Sequence, residues 1–326
     1  MRLWVSMGIK PAGRTDEPLR PLLLELDMDR GTILRQRTWD TPDGRGAGPS
    51  VHQEFTAAGF APDGTVWQPT HTELLRIDPV DLSVVQQIDH PLLHGVHSAT
   101  STASGDVLLS AAGIDSVLRF DADGRLVDHH FLQDRPFGEA FPGIVDFRRV
   151  PYDGLKPHAE HPNHVVEHGG RTWVTCFESR RALPLDAPSS GGIPLDGIPH
   201  DGRPYDGLLW FTLTHGVVVA IDPATAEAVQ RIDLARLDPT PGLLGWCRGL
   251  ARVEHRLFVG MTMLRRPRHR EVLRRLARVL AGRKRPSRVV EIDLRGPRIV
   301  RQVEVGNRAG GTIYGLLPVD CTGESR

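Results

Sequence analysis

Histidine recurs at comparable positions in three successive segments of the chain. His97 lies eleven residues before Leu108, His164 nine before Trp173, and His200 ten before Trp210. Neutral imidazole is a common ligand of zinc, iron and copper, and three imidazoles with an open position suit a catalytic metal. The spacing predicts a metal site formed by His97, His164 and His200, with His52 as a looser fourth ligand. The alternative is that these imidazoles only hydrogen-bond to water or backbone.

Four further residues are candidates for acting on a substrate at such a site: Glu178, His71, Arg248 and Tyr314. Glu178 could be a metal ligand or a general base, and His71 or Tyr314 could move protons. Arg248 could bind a carboxylate of the substrate. Each also has a purely structural interpretation, as a solvated rim residue or, for Arg248, as a link between neighbouring units. Asp201 directly follows His200 and could orient its ring.

The composition excludes several classes of function. Forty basic residues balance forty acidic ones, so no net charge favours nucleic acid or a membrane surface. Cys176, Cys247 and Cys321 have neither the number nor the spacing of a disulfide framework. We find no signal peptide and no apolar run near the roughly 20 residues of a membrane helix, so we expect a cytoplasmic protein.

An apolar strand that ends in Asp recurs six times. The copies are 22–27, 74–78, 117–121, 182–186, 218–222 and 289–293. Each is preceded by another strand, usually with a large residue such as Trp67 or Trp173, and most of these have one further strand before them. Several of the copies are also followed by another strand. Four strands per unit and six units predict an all-β, six-bladed β-propeller that occupies residues 1–326 as one domain. A seven-bladed ring with one degenerate blade between Asp121 and Asp186 is the alternative.

The two ends of the chain complete one blade. The chain starts in a second strand at Leu3 and ends with a spare first strand at 312–319, so we expect these strands to pair and close the ring. The innermost strands of a propeller all begin at one end of the central channel, here called the mouth. This places His97, His164 and His200 at the mouth, although they are far apart in the sequence.

Two stretches interrupt the repeat. Residues 133–161 are rich in Pro, Gly and aromatic residues and could form a lid. A basic stretch at about 267–282 has Val272, Leu276 and Val279 on one helical face, which predicts an inserted helix. Its apolar face could pack on the propeller or form a homodimer contact, and its arginines could instead meet an anionic partner.

Parts of the sequence resemble a known family. The stretches 199–202 with 207–212, and 247–251 with 257–262, are similar to bacterial six-bladed propellers of the virginiamycin B lyase-like (streptogramin lyase or NHL-type) group. The resemblance implies a metal at the channel mouth that assists lyase or hydrolase chemistry, with His97, His164 and His200 as ligands. The sequence does not match the complete catalytic set of any one such family.

We therefore expect a metal-dependent enzyme that contains zinc, iron or copper. Its substrate would be a small organic or peptide-like molecule, and its reaction a lyase or hydrolase reaction. An iron or copper oxidase or oxygenase at the same site is a second hypothesis. A third is a propeller without catalytic activity that binds a ligand or a protein.

Overall fold

The computed structural model describes residues 1–9, 19–41, 53–155, 158–187, 191–240, 244–263, 285–306 and 311–319. The candidate ligand His52 and the predicted inserted helix at about 267–282 lie outside the described residues. No helix within the described ranges is long and apolar enough to cross a membrane.

The described residues form six antiparallel sheets of four strands, so the six-bladed β-propeller is confirmed. Blades 1 and 2 contain β1 (Arg2–Ile9), β2 (Arg20–Asp27), β3 (Thr32–Thr38), β4 (Gly59–Phe60), β5 (Val66–Pro69), β6 (Leu74–Ile77) and β7 (Val84–Ile88). Blades 3 and 4 contain β8 (Val96–Ser101), β9 (Val107–Ala111), β10 (Ser116–Phe120), β11 (Leu126–Phe131), β12 (Pro162–His168), β13 (Arg171–Cys176), β14 (Arg181–Pro184) and β15 (Ile193–Pro194). Blades 5 and 6 contain β16 (Pro199–Tyr205), β17 (Leu208–Leu213), β18 (Val217–Ile221), β19 (Ala228–Asp233), β20 (Trp246–Val253), β21 (Arg256–Thr262), β22 (Arg288–Asp293) and β23 (Arg298–Glu304).

The ring closes in blade 1, as the sequence predicted. The last strand, β24 (Gly311–Pro318), is the inner strand of this blade and pairs with β1 in antiparallel register, with Leu3 opposite Pro318. The inner strands of the six blades are therefore β24, β4, β8, β12, β16 and β20. They lie side by side around the central channel, so that blade 2 is opposite blade 5.

The repeated Asp has a local structural role that explains why it recurs. In Asp27, Asp78, Asp121, Asp222 and Asp293, the carboxylate accepts a hydrogen bond from the backbone N–H two residues later. This is the Asx turn that short acidic side chains favour. Each such turn ends the third strand of a blade and directs the chain into the fourth.

The blades pack through apolar faces that alternate with period two along each strand. Large side chains fill the spaces between blades, and Trp4, Trp67, Phe120, Phe211 and Phe258 are at most 2% exposed. The packing fixes the neighbouring blades against each other, and it thereby holds the inner strands at the channel.

The segment at 133–161 packs on blade 3. It contains the short helices α1 (Phe137–Ala140), Phe147–Arg149 and Tyr152–Leu155; a further helix, α2 (Leu234–Leu237), follows β19. Phe147 is 1% exposed and lies in the same apolar cluster as Phe120 of β10. The segment is therefore anchored at its middle by core packing.

Candidate functional site

An extra residue in the inner strands shapes the channel mouth. Five inner strands have a β-bulge near their start, in β8, β12, β16, β20 and β24. His97 and Tyr314 are themselves the unpaired residues of their bulges, and His200 with Asp201 forms the bulge of β16. A bulge locally bends the strand and redirects a side chain, and bulges are frequent beside active sites. The bulges account for the way these side chains meet at the mouth.

The register also shows that the three predicted histidine ligands are not equivalent. Val96, Pro162 and Pro199 are the last paired residues before their bulges. His97 and His200 follow this position directly, whereas His164 follows it by two residues. His164 therefore aligns with Asp201, one position further from the mouth. Counting back from the second strand could not reveal this difference, because the turns between the strands differ in length.

Five aromatic rings surround the mouth. The ring centroids of His97 lie 5.6 Å from those of His71, 5.1 Å from His161 and 5.9 Å from Tyr314. The centroid of His200 lies 6.0 Å from that of Tyr314. The structure therefore brings His71, His97, His200 and Tyr314 together, and it adds His161, which the sequence did not single out.

A buried carboxylate, Glu54, lies between two of these rings. Its Oε2 is 3.0 Å from Nε2 of His71, and its Oε1 accepts a hydrogen bond of 3.4 Å from the Tyr314 hydroxyl. Gly8 of β1 makes this possible, since a Cβ on Gly8 would lie 2.1 Å from Cγ of Glu54. Glu54 is on an extended segment before β4 without a motif of its own, which is why spacing gave it no role.

The hydrogen bonds of His97 and His200 determine which ring nitrogen faces the mouth. Nδ1 of His97 lies 2.7 Å from the Gly95 carbonyl oxygen, and Nδ1 of His200 lies 2.8 Å from Oδ1 of Asp201. Because both partners can only accept, Nδ1 carries the proton in each ring and Nε2 keeps its lone pair. Asp201 therefore orients His200, as the sequence suggested. Its other oxygen accepts the N–H of Leu250, which ties blade 5 to blade 6.

Burial keeps these imidazoles neutral. Burial lowers the pKa of His97 well below its ordinary value, and the nearby His161 and His71 lower it further. Burial also lowers the pKa of His200, more than the hydrogen bond to Asp201 raises it. Both rings are therefore proton acceptors at neutral pH.

Arg248 is the cation of the mouth. Its guanidinium carbon lies 4.7 Å from the centre of the Tyr314 ring and 4.9 Å from that of Trp246. Nε and Nη1 are buried and have no hydrogen-bond partner among the described residues. Two such donors suit an acceptor group on a ligand, because a buried unpaired N–H is costly.

The segment at 133–161 contributes His158 and His161 to the site. The carboxylate of buried Asp115 accepts hydrogen bonds from the backbone N–H groups of Ala159 (2.7 Å), Glu160 (3.2 Å) and His161 (2.7 Å). Nδ1 of His161 lies 2.7 Å from Nδ1 of His158. Asp115 thus fixes the backbone that places His161 against His97.

The remaining candidates lie elsewhere. Glu178 is exposed at the rim, and no described contact joins its side chain to the cluster. Within the described ranges, no three His, Cys, Asp or Glu side chains are arranged to hold a metal ion. The predicted set of His97, His164 and His200 thus differs from the cluster that the structure forms.

No family model matches the chain, and neither does any curated protein. Solved structures are similar over nearly the whole length. A protein of unknown function from Bacteroides caccae is 14% identical over 96% of this chain and 97% of that chain, with a TM-score of 0.59. A chain of the nidogen/laminin complex is 11% identical over 97% of each chain, with a TM-score of 0.56.

Virginiamycin B lyase from Staphylococcus aureus is also similar. It is 12% identical over 95% of this chain and 90% of that chain, with a TM-score of 0.51. The chain shares the β-propeller fold of the virginiamycin B lyase-like group. The resemblance seen in the sequence is therefore confirmed for the fold. Sequence identities this low are evidence for a shared fold and not for a shared function.

Proposed function

We propose that the protein is an enzyme that acts on a small anionic organic molecule at the channel mouth by lyase or hydrolase chemistry. The observation that supports this most directly is the pair of buried, unpartnered donors on Arg248. A carboxylate or similar oxyanion on the substrate would satisfy both. The Tyr314 ring packs against the same guanidinium, and the neutral base His200 lies beside that ring.

The groups around Arg248 supply both halves of a proton transfer. Nε2 of His200 would take a proton from a carbon, or from a water molecule, next to the anionic group of the substrate. Tyr314 would turn its O–H from Glu54 to the substrate and donate the proton to the departing oxygen or nitrogen, and both residues would then exchange protons with water. Glu54 and His71 would position the Tyr314 side chain before the substrate binds. Positioned acid and base groups of this kind contribute roughly 10²–10⁴-fold each to the rate.

The test is turnover of a defined mixture of small carboxylic acids and short peptides, followed by NMR with purified protein. We expect wild type to consume at least one component and His200→Gln to lose about 10²-fold or more of that rate. Arg248→Gln should mainly raise KM. Glu139→Gln, on an exposed part of α1, is the control substitution and should leave the rate unchanged. A wild-type rate in His200→Gln would overturn the assigned roles.

A second candidate is metal-assisted catalysis at the same mouth. His97 and His200 are each fixed by a hydrogen bond at Nδ1, as the rings of metal-ligating histidines usually are. A zinc ion would polarise a substrate or acidify water, whereas iron or copper would favour oxidation. Elemental analysis of wild type beside a His97→Ala/His200→Ala variant tests this. About one ion per chain, lost in the variant, is the expected result, and equal metal content in both proteins would contradict it.

A hypothesis from another class is a propeller that binds a ligand or a protein without catalysing a reaction. The similar chain from the nidogen/laminin complex comes from a protein complex. In the NMR experiment, a carboxylate that binds wild type but is never consumed would favour this hypothesis. Loss of that binding in Arg248→Gln would still place the ligand at the mouth.

A further inference from the structure

A second group of unpaired polar atoms lies in the channel, further from the mouth than Arg248. Arg203 is on β16 of blade 5, and its Nη2 donates a hydrogen bond of 3.2 Å to the Ala58 carbonyl oxygen. Ala58 belongs to the inner segment of blade 2, which lies opposite blade 5 in the ring. The guanidinium of Arg203 therefore spans the channel.

The atoms around this guanidinium are not fully paired. Nε of Arg203 is buried and has no hydrogen-bond partner among the described residues. His164, on the neighbouring β12, is 1% exposed, and neither of its ring nitrogens has a partner within the described ranges. The charge of Arg203 acts on the His164 ring. A neutral imidazole offers one donor and one acceptor.

The nearby carboxylate does not satisfy these groups. Oδ1 of Asp201 is bonded to Nδ1 of His200, and Oδ2 accepts the N–H of Leu250. The unpaired atoms thus have an excess of donors, and one of them belongs to a cation. A buried site with unpaired donors and a positive charge matches a ligand with several acceptor atoms and a negative charge.

We propose that the channel binds a small monovalent oxyanion, of the formate or bicarbonate class, between Arg203 and His164. A small oxyanion supplies both the acceptor atoms and the negative charge that these groups lack, and it adds few heavy atoms to a channel that Arg203 already spans. The site is separate from Arg248, and it does not depend on catalysis at the mouth.

The experiment is a titration with sodium formate that replaces sodium gluconate at constant ionic strength, with thermal unfolding as the readout. Gluconate is a much larger carboxylate of the same charge, so it serves as the reference anion. Wild type should show a saturable rise in Tm. Arg203→Gln should weaken formate binding about tenfold or more, because it removes the charged donor. Arg203→Lys keeps the charge and should retain more of the response.

Two control variants distinguish formate binding at this site from formate binding at other arginines. Arg119→Gln alters an ion pair on blade 3, where Arg119 Nε bonds Asp106 at 2.7 Å, and should leave the formate response unchanged. Arg248→Gln removes the guanidinium at the mouth, which also suits a carboxylate, and the part of the formate response that Arg203→Gln abolishes should remain in this variant. If the response survives in Arg203→Gln and disappears in Arg248→Gln, formate binds at the mouth and the proposal is wrong. A wild type without a saturable response would overturn it as well.

Discussion

At the scale of single residues, buried histidines make the stability of the fold depend on pH. Burial lowers the pKa of His94 to about 4 and of His164 to about 3, from 6.5 in an exposed ring. Below pH 6.5 the unfolded chain binds protons that the folded protein does not. The two neutral histidines therefore make their full contribution to stability above that pH. The contribution is lost as the pH falls towards the pKa of each histidine in the folded protein.

This gives a prediction for His164. The free energy of unfolding should fall by about 1.4 kcal/mol per pH unit between pH 6 and pH 4 for each histidine that stays neutral in the folded state. His164→Leu removes one of them, so its slope in this range should be lower than that of wild type by about this amount. Urea unfolding at several pH values measures both slopes. Above pH 7.5 the two proteins should have the same slope, and identical slopes at pH 5 would refute the assignment.

At the scale of structural elements, Asp115 holds the end of the segment at 133–161. Its carboxylate accepts three consecutive backbone N–H groups, at residues 159 to 161, and a hydrogen bond of 2.7 Å from Nε2 of Gln133. Asp115→Ala should lower the free energy of unfolding by about 2–3 kcal/mol, because several charge-assisted hydrogen bonds are lost together. Hydrogen exchange should become faster at residues 159–161 while the strands of blade 3 stay protected.

The matched control is Asp128→Ala on β11. Asp128 is exposed, and its carboxylate bonds only the adjacent N–H of His129 among the described contacts. This variant should change the free energy of unfolding by less than about 0.5 kcal/mol. Unchanged exchange at residues 159–161 in Asp115→Ala would show that core packing of Phe147 alone holds the segment.

The elements also show what the sequence could and could not predict. The Asp that ends each third strand is visible in the sequence because five of the six copies make the same local turn. His97, His200, Arg248 and Tyr314 were found because they occupy repeated strand positions. Glu54 and His161 were missed since they lie on irregular segments, and their positions depend on long-range contacts with Gly8 and Asp115. The offset of His164 depends on a bulge, which no period in the sequence marks.

At the scale of the whole molecule, one blade is made from both ends of the chain. Val319 donates its N–H to the carbonyl oxygen of Arg2 at 3.0 Å, so the end of β24 and the start of β1 are adjacent. In blade 1 the inner strand comes from the end of the chain and the other three strands from its beginning. Nothing in the other blades requires the closure to be in blade 1, since all six have the same strand order.

A circular permutant tests this equivalence. A linker of about 4 residues would join residue 319 to Met1, and new ends would be made between Asp206 and Gly207. Both residues are exposed and form the tight turn between β16 and β17, with φ of 51° and 77°. This cut moves the closure to blade 5, with its inner strand again at the end of the chain. We expect the permutant to fold, with a free energy of unfolding within about 2 kcal/mol of wild type.

A cut between Trp210 and Phe211, inside buried β17, should prevent folding, because it divides a strand that pairs on both sides. If both permutants fail, the closure in blade 1 has a role in folding that the other blades cannot replace. Circular dichroism and urea unfolding distinguish these outcomes.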